Sequence, residues 1–109
     1  MYYDGEYENG LYHGVGQFAE EDGSLYSGSW SRGLRCGQGS QVNNRERNEY
    51  HGSFMDDLYH GTGKCTWVNG SVYDGAWVRG SPNGIGLCVR VLHFNSPSHL
   101  NHHTILNIT

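Results

Sequence analysis

Basic residues are scarce in this chain. Seven Lys and Arg stand among 109 residues, against eleven Asp and Glu, for a formal net charge of −4. Phosphate backbones and anionic lipids are held by clustered cations. These seven are scattered, so no nucleic acid is expected as a partner. Apolar runs are also short. None approaches the roughly 18 residues that a membrane-spanning helix needs, and no hydrophobic leader is recognisable. No window carries a sustained apolar stripe at helical period. The three cysteines are an odd number with no metal-site spacing, which argues against a disulfide framework.

Glycine and tyrosine are abundant instead, with 17 and eight copies. They fall into a frame, Tyr-x-Gly-x-aromatic-x-x-Gly-x-x-His-Gly-x-Gly, that occurs four times. The first copy is Tyr3, Gly5, Tyr7, Gly10, His13, Gly14 and Gly16. The second is Tyr26, Gly28, Trp30, Gly33, Cys36, Gly37 and Gly39. The third is Tyr50, Gly52, Phe54, Asp57, His60, Gly61 and Gly63, and the fourth Tyr73, Gly75, Trp77, Gly80, Asn83, Gly84 and Gly86. Start-to-start spacings of 23, 24 and 23 residues signal a repeat architecture.

Within each copy the tyrosine and the later aromatic share parity, so on a strand they point to one face. The glycine between them removes a side chain from the middle of that face and lets a neighbouring ring lie flat on the backbone. Turn segments follow, such as Glu8-Asn9-Gly10 and Val78-Arg79-Gly80, then a second strand. That strand ends in Asp22-Gly23 or Asn69-Gly70, both hairpin-turn dipeptides. The expected fold is all-β: an elongated, single-layer, twisted antiparallel sheet of four stacked hairpins over residues 1–94. Residues 95–109 lack the frame and contain Pro97, so they read as a separate, irregular and flexible tail. Cys65 and Cys88 lie one period apart, roughly 10 Å, too far for a disulfide. Three free thiols fit a reducing cytosol, so a cytoplasmic location is expected.

The frame resembles the MORN repeat (membrane occupation and recognition nexus), and the resemblance covers residues 3 to about 90. It implies ciliary or cytoskeletal scaffolds, membrane-bridging proteins, or repeat segments that accompany lipid kinases and lysine methyltransferases. Four departures stand out: Cys36 and Asn83 at the histidine position, Asp57 at a turn glycine, and the polar stretch Asn43–Asn48, which reads as a longer and more mobile loop.

Few residues suggest chemistry. His13 and His60 recur as part of the frame and have no carboxylate or thiol partner at fixed spacing. His93, His99, His102 and His103 have no nearby Cys or carboxylate to complete a metal site. The Gly-x-Gly pairs lack the lysine and helix of a phosphate loop. The sequons at Asn69 and Asn107 would stay idle in a cytosolic chain. No catalytic residue, cofactor or metal is therefore expected. The expected function is a non-enzymatic scaffold or adaptor that binds proteins through its aromatic-lined face or a sheet edge. The partner-binding or structural aromatics are Tyr3, Tyr7, Tyr26, Trp30, Tyr50, Phe54, Trp67, Tyr73 and Trp77. Edge pairing into a homodimer is a further expectation. Membrane-proximal phospholipid recognition, or a targeting role within a larger enzyme, are the alternatives. The acidic first repeat (Asp4, Glu6, Glu8, Glu20, Glu21, Asp22) opposes the lipid alternative.

Overall fold

The computed structural model describes residues 1–92 and 102–108. These form one open antiparallel sheet in sequence order, β1(Tyr2–Glu8), β2(Leu11–Ala19), β3(Leu25–Ser31), β4(Leu34–Asn43), β5(Asn48–Met55), β6(Leu58–Trp67), β7(Val72–Val78), β8(Ser81–Leu92) and β9(His102–Ile108). The chain is all-β, built of stacked hairpins, and its smallest dimension is 15 Å, one layer thick. β9 corrects the expected irregular tail for its own residues. It pairs with the edge of β8 from Gly86↔Ile108 to Leu92↔His102. Thr104, Ile105, Leu106 and Ile108 favour strands, and β8 would otherwise leave a row of unpaired backbone groups. The rest of the expected tail, with His93 and His99, lies outside the described residues.

The frame glycines line up across eight strands. In register, Gly5 faces Gly16, then Gly28, Gly39, Gly52, Gly63, Gly75 and Gly86 in turn. Each frame tyrosine lies over the glycines of its own hairpin. A Cβ at Gly16, Gly39, Gly63 or Gly86 would sit 2.2, 2.4, 2.1 or 2.4 Å from the hydroxyl of Tyr3, Tyr26, Tyr50 or Tyr73. Each hydroxyl then donates to the carbonyl three residues on: Glu6, Ser29, Ser53 and Ala76, at 2.7 to 2.8 Å. The spacing Tyr-x-Gly is thus one device. The glycine makes room for the ring, and the ring reaches over it to a backbone acceptor.

The later aromatic of the frame couples one unit to the unit before it. Trp30 Nε1 donates to the Gly16 carbonyl at 3.1 Å, and Trp77 Nε1 to that of Gly63 at 3.0 Å. Trp30, Phe54 and Trp77 meet Tyr3, Tyr26 and Tyr50 edge to face, at centroid distances of 5.6, 5.0 and 5.3 Å. Such geometry contributes about 0.5–1.5 kcal/mol per pair beyond area burial. Tyr26, Trp30, Tyr50, Phe54, Cys65, Tyr73 and Trp77 form the core.

Turn chemistry follows the frame. Two-residue turns carry positive φ at both central positions: Asn9-Gly10, Arg32-Gly33, Asp56-Asp57 and Arg79-Gly80, the conformation that suits the twist of a hairpin. The first glycine of the Gly-x-Gly end, at Gly14, Gly37, Gly61 and Gly84, also has positive φ. It sits where the second strand bulges. Gly28 to Trp30 on β3 faces the longer stretch Gly39 back to Arg35 on β4.

Gly63→Ala should cost about 2–4 kcal/mol, because its Cβ would enter the space of the fully buried Tyr50. Tyr50→Phe, which removes only the hydroxyl bond, should cost about 1 kcal/mol. Urea unfolding followed by circular dichroism reads both, and equal costs for the two variants would contradict the steric account.

Candidate functional site

The nine aromatics expected at a binding surface divide into three groups. Tyr26, Trp30, Tyr50, Phe54, Tyr73 and Trp77 are buried. Tyr3 and Trp67 are half-buried and pack against that core. Tyr7 is 60% exposed and touches Tyr3 and Tyr12 at its edge. The rings are covered by residues that the frame leaves unmarked, at the position just before the histidine: Tyr12, Arg35 and Tyr59, with Pro82 in register beside Trp77. Tyr12 stacks on Tyr3 and Tyr59 on Tyr50, each at 3.8 Å and nearly parallel. The same parity that puts Gly16 and Phe18 on the aromatic face puts Tyr12 there, so alternation counted back along the second strand exposes this signal.

Arg35 occupies this covering position in the second unit. Its guanidinium carbon lies 5.8 Å from the Tyr26 ring centroid and 5.7 Å from that of Phe54. A cation here needs an anion, and Asp57 supplies it. Asp57 Oδ1 accepts from the Arg35 amide at 2.8 Å and from Nε at 2.9 Å, and the Asp57 carbonyl accepts from Nη2 at 2.9 Å. The Gln41 side-chain oxygen accepts from Nη1. In the neighbouring units the partners are Tyr12 with Gly33 and Tyr59 with Gly80, joined only through backbone at 2.9 and 2.8 Å. Asp57 adopts φ 73°, which glycine takes more easily. The departure from glycine is explained by the arginine one unit earlier.

Two cavities flank this ion pair on the aromatic face. One, of about 370 Å³, is lined by Tyr12, Phe18, Glu20, Tyr26, Trp30 and Arg45. The other, of about 520 Å³, is lined by Glu46, Asn48, Tyr59, Cys65, Trp67, Trp77 and Pro82. Both share Arg35, Gln41, Asn43 and Asp57. The loop between β4 and β5 forms their rim, and it is tied on both sides. Asn44 Nδ2 donates to the Asp22 carbonyl at 2.6 Å, the Asn44 amide donates to Ser24 Oγ at 3.0 Å, and the Val68 amide to the Arg47 carbonyl at 3.0 Å. Arg45 pairs with Glu20 and Asp22 at 3.1 and 3.2 Å. Asn48 Oδ1, on the wall of the second cavity, is buried without a hydrogen-bond partner.

Much of the acidic first unit has local work. Glu6 accepts from the Val15 amide at 2.7 Å, in the bulge, and Glu8 meets His13 at 3.2 Å. Asp22 accepts from the Ser24 amide, which with the Ser24 hydroxyl and Arg45 holds its carboxyl below the usual carboxylate range. Among the described residues no group of three or more His, Cys, Asp and Glu is placed to hold a metal. His60 Nδ1 lies 3.3 Å from the Arg79 amide, a turn contact. Cys36, Cys65 and Cys88 are free thiols, and Tyr73 stands in register between Cys65 and Cys88.

The MORN repeat family model matches residues 3–24, 26–42, 50–72 and 73–91. The chain belongs to the MORN repeat family, with four repeats. No curated protein matches the chain as a relative.

Two measurements probe the packed face. A double-mutant cycle of Arg35→Leu and Asp57→Gly should give a coupling of about 1–2 kcal/mol, since the pair is part-buried and bonded through several donors. Additive effects would contradict it. Burial pushes the phenols of Tyr26, Tyr50 and Tyr59 up to about 12, from an ordinary 10, and the Cys65 thiol to about 11 from 9. Each raised group stabilises the fold fully below its ordinary value, and that contribution fades as pH rises to the folded one. Stability should therefore fall from about pH 9 for the thiol and about pH 10 for the phenols, and be spent near pH 12. Tyrosinate absorbance should rise in two stages, the later one coincident with unfolding. A single smooth titration of all eight tyrosines near pH 10 would contradict burial.

Proposed function

We propose that this chain is a non-enzymatic scaffold that binds another protein through the aromatic face, along the groove on either side of Arg35 and Asp57. One observation carries this reading: an open single-layer sheet whose rings are packed yet whose face keeps two adjoining cavities edged by polar groups. Apolar floor with a few fixed polar groups is the general make-up of a recognition site. Asn48 Oδ1 adds an acceptor awaiting a donor. The groove gathers no constellation of nucleophile, base and oxyanion donors of the kind a catalytic site needs. Family membership fits a scaffold in a cytoskeletal or ciliary assembly, and a cytoplasmic setting suits the free thiols.

Phospholipid recognition is the weaker reading. Arg35 and Arg45 are both engaged by carboxylates, which leaves no cluster of open cations on this face among the described residues.

The groove is tested at its accessible wall, since Trp30→Ala or Trp77→Ala would empty the core. Trp67→Ala and Asn48→Asp should each lose the proteins that wild-type chain captures from cells, while Leu87→Ala, exposed and lining neither cavity, retains them. Equal capture by all four proteins would contradict the groove.

A further inference from the structure

Exposed aliphatic side chains also line the turn edge of the sheet. Leu11, Leu34 and Leu58 open the second strand of three successive hairpins and are 47%, 39% and 41% exposed. Each adjoins Tyr12, Arg35 or Tyr59, which cover the rings, so alternation turns the leucines toward the outside of that edge, where Leu58 also borders the second cavity. In register they stand beside Glu8, Ser31 and Met55. Leu11 leans to the turn at Gly33 and Leu58 to the turn at Gly80, so the row runs from one turn to the next. Met55 and Val78, also exposed, widen it.

Charges edge this row in alternating order. Arg32, Asp56 and Arg79 hold the first position of three successive turns, all exposed. No side chain of the three makes an ion pair or hydrogen bond within the described residues. Their backbones are left-handed, with φ of 52°, 49° and 47°. Asn9 fills the same place in the first turn, and asparagine or glycine suits it best. Arginine is poorly suited to that conformation, and neither arginine side chain offsets it with a polar contact among the described residues. Strain kept without structural return points to use elsewhere.

We infer that this turn rim docks an amphipathic α-helix of a partner protein. The inference rests on the scaffold reading above and gives that scaffold a second surface, along its turn edge. Leucines two strands apart are spaced about 10 Å, slightly more with sheet twist. Positions i, i+7 and i+14 of a helix rise by about 10.5 Å each, so three apolar residues at that spacing meet Leu11, Leu34 and Leu58. An extended strand repeats a face about every 6.8 Å and falls out of step. Charge selects the orientation: an acidic residue meets Arg32, a basic one Asp56 and an acidic one Arg79. Alternating signs give no field of one sign for an anionic lipid surface.

A labelled three-heptad peptide tests this, with leucine opening each heptad and glutamate, lysine and glutamate beside the leucines in that order. Fluorescence anisotropy against the whole chain should show saturable binding, weakened by salt. The peptide of opposite charges should bind at least ten-fold more weakly. Arg32→Glu with Asp56→Lys and Arg79→Glu should reverse that preference. Arg32→Asn with Arg79→Asn should raise the Tm and weaken binding about ten-fold, a divergence that a merely structural role cannot produce. Equal binding of the two peptides, or no saturable binding, would overturn the proposal. So would sedimentation with anionic vesicles that depends on Arg32 and Arg79. Peptide binding lost in Trp67→Ala but kept in the rim variants would sink the rim and leave the groove standing. Peptide binding kept in Trp67→Ala, with cellular capture also unchanged, would support the rim and sink the groove.

Discussion

A tyrosine ring lying on a pair of glycines is the contact on which this molecule depends. A single-layer sheet has no second layer to bury its apolar face, so it must bury that face against itself. The glycine ladder permits it. With no Cβ along one line of the sheet, each ring drops onto the backbone and its hydroxyl reaches a carbonyl across the gap. The next unit's Trp or Phe then packs edge to face on that ring. Stability in such arrays is approximately a sum of unit and neighbour terms, and here both terms pass through the same tyrosine.

The strand order, the turns and the aromatic face were all legible in the 23-residue period, because each depends on residues within one hairpin. The contacts between units were less so. Trp30 donating to Gly16 requires knowing how far one hairpin slides along the next. The pairing of Arg35 with Asp57 had the same obstacle. Asp57 was visible as a misfit, and Arg35 was not, since the frame says nothing about its position. Two misfits in adjacent units proved to be one interaction. The strand formed by residues 102–108 was hidden because its pairing is set by the edge of β8 rather than by any repeat of its own.

Burial also changes where recognition can occur. Six of the nine aromatics first singled out are consumed by the core. What remains open on their face is polar-edged groove, and a row of exposed leucines follows the turn edge. A ribbon with a groove on one face and leucines along its turn edge offers two separate surfaces. That division of the surface follows from the glycine ladder, which pulls the rings inward and leaves the leucines out.

The ring-on-glycine contact is most directly read by NMR. If each tyrosine covers its glycines, the α-proton resonances of Gly16, Gly39, Gly63 and Gly86 are shifted upfield by ring current. Each also shows cross-relaxation to the aromatic protons of Tyr3, Tyr26, Tyr50 or Tyr73. Glycine α-protons at random-coil positions without such contacts would contradict the account.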